Sequence, residues 1–131
     1  MEFCWLRFWK LGRREVMALK IPTTKLNIKE LEWHLDCPFW VHDNGERYTV
    51  TPRDVLEKEE GTQTEQDNVE NANTLYPIDI YFNKDKWLIL DGIHRLVKLY
   101  KENVQEVDVR IVTDKQLPRI LSGDLIEIPS W

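Results

Sequence analysis

Residues 86–100 read KWLILDGIHRLVKLY, and the rest of the chain is organised around this stretch. Trp87-Leu88-Ile89-Leu90 is a short apolar run with no polar face, which predicts a central strand ending at Asp91-Gly92. From Ile93 the spacing changes, and Ile93, Leu96, Val97 and Tyr100 fall on one helical stripe that Asn103 can stop. His94 and Arg95 then sit in the first helical turn, off that stripe, where the helix field disfavours cations. One reading is capping and solvation, with Asp91 as the N-cap. The other is an anion on the turn. Helix-start N–H groups bind anions, Gly92 permits close backbone approach, Arg95 can fork onto a phosphate, and His94 exchanges a proton near neutrality. Asp91 would cap the helix, or hold a metal or hydroxyl at the strand end.

Upstream, PIDIYF alternates Ile78, Ile80 and Phe82 against Asp79 and Tyr81, predicting a half-buried strand joined to the next by a hairpin over NKDK. Downstream, EVDVRIV (106–112) predicts another strand with Val107, Val109 and Ile111 inward and Asp108 and Arg110 outward. Strand, hairpin, strand, helix, strand gives an α+β domain on a small mixed β-sheet with flanking helices.

Further out, TTKLNIKELEWHLDCPFWV (23–41) reads as an extended piece followed by a turn or short helix around Lys29–Leu35. Asn44-Gly45 marks a tight turn, with a short strand expected at Tyr48 and Val50. Thr51 as N-cap, Pro52 in the first helical position and Asp54 in the first turn open a helix. Residues 54–70 hold seven acids against one lysine and read as a solvated face or flexible loop. DLIEIP near the C-terminus is a candidate edge strand.

At 131 residues, 42% apolar and 31% charged, the chain has the composition of a single soluble globular domain. Residues 1–18 are aromatic and basic, form no secretory signal, and are set apart as an N-terminal segment, with Met17 as an alternative start; residues 19–131 form the domain. No apolar run is long enough to span a bilayer, and a net charge of −5 argues against a nucleic-acid surface. Cys4 and Cys37 lack metal-ligand spacing, and a disulfide framework is not expected, so reducing cytoplasm is the expected location. Cys37 is weighed as a nucleophile against the commoner reading of a small buried filler.

ILDGIHRLVKLYKENVQEVDVRIV resembles the signature of the ParB/sulfiredoxin-like superfamily: a D/G-G-x-H/R-R turn, a helix, then a valine-rich strand. The likeness covers Leu75 to Val112, more weakly Leu19 to Trp40, and LDGIHR resembles the version in the superfamily's free-serine kinases and in its small stand-alone ParB-like proteins. The resemblance implies nucleotide phosphates (ATP, ADP or CTP, with Mg²⁺) cradled by Gly92, His94 and Arg95, with Asp91 a catalytic or metal-associated acid. Ile93 stands where sulfiredoxin has its cysteine, so that chemistry is not expected. With 28 residues after Asn103, the DNA-binding and dimerisation parts of a partition protein are not expected.

The resulting expectation is a nucleotide-dependent phosphotransferase or NTPase acting on an unidentified acceptor, with Asp91, His94 and Asp36 as candidate catalytic residues. Asp36 and Glu32 enter because ELEWHLDCPFW mixes acids with tryptophans of the kind that line pockets. The alternatives are a non-catalytic nucleotide-sensing or DNA-associated module and, last, a ParB-like nuclease.

Overall fold

The computed structural model describes residues 20–116. Its strands are β1 (Thr23–Asn27), β2 (Ile78–Asn83), β3 (Lys86–Asp91) and β4 (Glu106–Ile111). Its helices are a 3₁₀ helix (Ile28–Asp36), α1 (Pro52–Leu56), α2 (Gln63–Glu70) and α3 (Ile93–Lys101). The N-terminal segment and the DLIEIP strand expected from the sequence lie outside the described residues.

The NKDK turn forms as expected. Lys84 and Asp85 both take positive φ (47° and 67°), which matches the twist of a two-residue hairpin connection. β2 pairs antiparallel with β3, Phe82 facing Trp87 and Ile80 facing Ile89, with an irregularity between Asp79 and Ile80. The sheet order is β1-β4-β2-β3, β4 running parallel to β2 and antiparallel to β1. The mixed α+β architecture therefore stands.

The expected central position of β3 does not. Among the described strands it lies at the sheet edge, and its run Trp87–Leu90 is apolar because the 3₁₀ helix covers its open side. His34 Nε2 accepts the Ile89 N–H at 3.0 Å, and Trp33 Nε1 donates to Trp87 O at 3.1 Å. Those two side chains satisfy backbone groups that an edge strand otherwise leaves for water or another chain.

Burial also departs from simple alternation. Asp79 and Tyr81 are buried, whereas Phe82 is 49% and Ile111 36% exposed. Asp79 is tolerated inside because Arg110, its register neighbour on β4, donates Nε to Asp79 Oδ1 at 2.6 Å. Buried charges need such a partner. The strand expected at Tyr48–Val50 contracts to a single bridge between Trp40 and Val50, and Tyr48 takes φ 58°.

Two apolar clusters share α3. Leu96 packs with Ile78, Ile80, Ile89 and Val109 against the sheet. The next residue, Val97, packs with Leu35, Trp40, Val55 and Val69 on the helical side. Ile93 and Tyr100 touch both clusters. The stripe expected from residues 93–100 is thus the seam of the fold. α3 ends as expected: Asn103 adopts φ 61°, and Val104 N–H returns to Leu99 O at 3.1 Å.

α1 starts with a full capping box between Thr51 and Asp54. The acidic stretch is not a loop throughout, since residues 63–70 form α2, with Val69 buried against α3's side of the core. α2 is capped from a distance. Asp43 Oδ2 accepts the Gln63 amide at 2.9 Å, and Asp43 Oδ1 accepts the Thr64 amide at 3.4 Å. Among the described residues, no helix is long and apolar enough to cross a membrane.

Candidate functional site

The strand-to-helix turn opens into a cleft of about 590 Å³. Its floor is Leu90, Asp91, Gly92, Ile93, His94 and Arg95, and its walls are Phe39 and Trp40, Asn68 on α2, and Ala72, Asn73 and Tyr76 beyond it. The size falls within the range of small-molecule sites.

Gly92, not Asp91, is the N-cap of α3. It sits at φ 120°, ψ 21°, with no side-chain cap on the helix. A Cβ there would lie 3.2 Å from Ile78 Cγ1 and Cγ2 and 3.3 Å from Arg95 Nη1, so the dihedral favours glycine and a side chain would crowd Ile78. The first helical bond runs from Leu96 N–H to Gly92 O at 2.9 Å. The amides of Ile93, His94 and Arg95 precede it, in the positions that a helix leaves without an internal partner.

Asp91 is turned instead toward its i+4 neighbour. Arg95 Nη2 donates to Asp91 Oδ2 at 3.3 Å, and Arg95 Nη1 donates to Pro77 O at 2.6 Å. A guanidinium has five N–H donors, so these two bonds leave capacity for an anion. Across β2, Asp79 is the register partner of Asp91. Two carboxylates are therefore flanked by Arg95 on one side and Arg110 on the other. Burial pushes the Asp79 carboxyl above its ordinary range; Arg110 opposes that shift, the charge of Asp91 adds to it, and Arg95 opposes it again.

His94 is held between two elements. Its Nε2 lies 2.9 Å from Glu65 Oε1, and its ring stacks on Trp40 at 4.7 Å between centroids with 12° between planes. Burial pushes the Glu65 carboxyl up, but hydrogen bonds from His94 and Asn68 outweigh it and leave the group below its ordinary value. Glu65 is a participant that the sequence reading missed. It lies in the acidic run set aside as solvated, and only the 29-residue separation closed by α2 packing on α3 brings it to His94.

The turn residues Asp91, Gly92, His94 and Arg95 therefore converge on one cleft. Asp36 does not line it. Its carboxylate pairs with Arg53 Nε at 2.7 Å and Nη2 at 3.4 Å on an exposed surface. Glu32 accepts the Tyr100 hydroxyl at 2.8 Å. Cys37 is buried and disulfide-bonded. That corrects the expectation of no disulfide and removes Cys37 as a nucleophile.

Among the described residues, no group of three or more His, Cys, Asp or Glu is arranged to hold a metal ion. A Mg²⁺ carried in on phosphate oxygens would need only one or two protein carboxylates, with water completing its shell. Among the described residues Asp91 is the one acid lining the cleft, and its Oδ2 is already shared with Arg95.

No protein-family model, no curated protein and no solved structure matches the chain, so the likeness to ParB/sulfiredoxin proteins rests on the motif alone.

Proposed function

We propose that the cleft binds a nucleotide with its phosphates on the Asp91–Arg95 turn, and that the protein transfers a phosphoryl group from it. The observation that carries this reading is a glycine-capped helix start, with the amides of Ile93, His94 and Arg95 beside the Arg95 guanidinium, opening into a cleft large enough for a small molecule. Oriented N–H groups, the positive end of the helix and a fork-shaped cation are the ordinary means of holding phosphate.

In this reading Arg95 and the turn amides hold the phosphates, and Gly92 keeps the floor clear of a side chain. Asp91 would hold Mg²⁺, which supplies charge neutralisation on the transferring group. His94 takes the proton of the incoming acceptor, and Glu65, 2.9 Å from Nε2, fixes the orientation of the ring. Asp36, engaged by Arg53 outside the cleft, has no role in it.

A second reading is nucleotide sensing without turnover. It is favoured by the tie between Asp91, the one acid lining the cleft among the described residues, and Arg95, which occupies a carboxylate oxygen that Mg²⁺ would need for transfer. Incubating the purified protein with ATP, ADP and CTP plus Mg²⁺ tests both, by turnover and by thermal shift in parallel. Turnover lost in His94→Ala and Arg95→Ala supports transfer. A shift without turnover supports sensing. No shift with any nucleotide contradicts both.

A further inference from the structure

Residues 71–77, between α2 and β2, form an irregular connector that α3 anchors at both ends. Lys98 Nζ donates to Glu70 O at 2.7 Å and to Ala72 O at 3.2 Å, while Arg95 Nη1 donates to Pro77 O at 2.6 Å. Within the connector, Asn73 Oδ1 accepts the Leu75 amide at 3.0 Å. The backbone is therefore tethered, yet Leu75 is 88% and Tyr76 54% exposed. Tyr76 and Asn73 line the same cleft as the Asp91–Arg95 turn, and the Tyr76 ring centroid lies 6.0 Å from the Arg95 guanidinium carbon.

A half-exposed aromatic ring on a tethered segment is a ready stacking surface, because little further ordering is needed when a planar ligand lands on its open part. Bases stack on aromatic side chains irrespective of sequence, since every base has a π face. Here the ring stands one residue from the carbonyl that Arg95 binds, so a stacked base and a phosphate on the turn would share one anchor.

We propose that residues 71–77 are the base-recognition element of the cleft. Tyr76 stacks on the planar heteroaromatic base of a nucleotide, and the Asn73 side-chain amide, its oxygen taken by Leu75 N–H, supplies a donor for the base edge. This rests on the phosphate-binding reading of the turn, and it makes the ligand a nucleoside phosphate as opposed to a bare or sugar-linked phosphate.

The test is calorimetric titration of the full chain with ATP and, separately, with tripolyphosphate, both with Mg²⁺, for wild type, Tyr76→Ala and Tyr76→Trp. Tyr76 is exposed, so the variants are expected to keep the wild-type unfolding midpoint. The expected result is about tenfold weaker ATP binding in Tyr76→Ala, recovery in Tyr76→Trp, and unchanged tripolyphosphate binding throughout. Equal weakening of both ligands, or no effect on ATP, would overturn the stacking role while leaving the phosphate site standing. Wild type binding neither ligand would overturn the phosphate reading and this inference with it.

Discussion

Glu65 Oε1 lies 2.9 Å from His94 Nε2, joining an acidic helix to the first turn of the helix that forms the cleft floor. The contact is both a structural tie between α2 and α3 and the source of orientation for the imidazole in the cleft. Glu65→Ala is expected to cost about 1 kcal/mol of stability, measured by urea denaturation. If His94 acts as the base, the same variant lowers turnover more than nucleotide affinity. The Glu65 carboxyl is held below its ordinary value, so its contribution is complete above the ordinary carboxylate range and is lost as pH falls through the lowered folded value.

His34 predicts a second, larger acid effect. It is fully buried, its Nδ1 bonded to Leu31 O at 2.9 Å and its Nε2 accepting from Ile89 N–H. Burial pushes its pKa down to about 3, against a weaker opposing effect of the Leu31 carbonyl and with Lys86 adding to the lowering. The unfolded chain protonates near 6.5 and the folded one does not. Stability is therefore full above about pH 6.5 and declines down to about pH 3, by an amount on the order of several kcal/mol. Denaturant midpoints measured from pH 7.5 to 4 should fall, and His34→Gln should flatten that slope while lowering stability at neutral pH.

Gly92→Ala should be destabilising by about 1–2 kcal/mol, because alanine must adopt φ 120° and push against Ile78. Thermal unfolding reads this directly. On the proposed function, the variant also loses nucleotide-dependent stabilisation, since the turn can no longer keep its shape.

The hairpin offers a change in the opposite direction. Lys84 and Asp85 both hold left-handed dihedrals, which Asn-Gly adopts at lower cost. The double substitution Lys84→Asn, Asp85→Gly is expected to raise stability by about 1 kcal/mol, with no effect on ligand binding because the turn is at the far end of β2 from Asp79. A lower midpoint would contradict the assignment.

How much of this was legible in the sequence depends on how local each determinant is. The hairpin, the α3 stripe with its Asn103 stop, and the Thr51–Asp54 capping box are set by neighbouring residues, and all form as the pattern implies. β3 reads as central because its apolar run reports burial, and burial alone cannot distinguish a neighbouring strand from a 3₁₀ helix that lends His34 and Trp33 to the open edge. α2 is hidden because its one buried residue is Val69 and its N-terminal cap, Asp43, lies 20 residues upstream. Asp79 and Arg110 look like two outward charges until the parallel register sets them side by side. In the site, the contiguous turn from Asp91 to Arg95 was readable as a unit; Glu65, Trp40 and Tyr76 belong to it only through packing.

Backbone amide NMR during titration with Mg²⁺-ATP tests the central claim most directly. The account predicts that the Gly92, Ile93, His94 and Arg95 amides move together and saturably, and that Arg95→Met abolishes this while Arg53→Met, on the exposed Asp36 pair, does not. Unmoved turn amides at saturating ATP, or the same response in Arg95→Met, would contradict it.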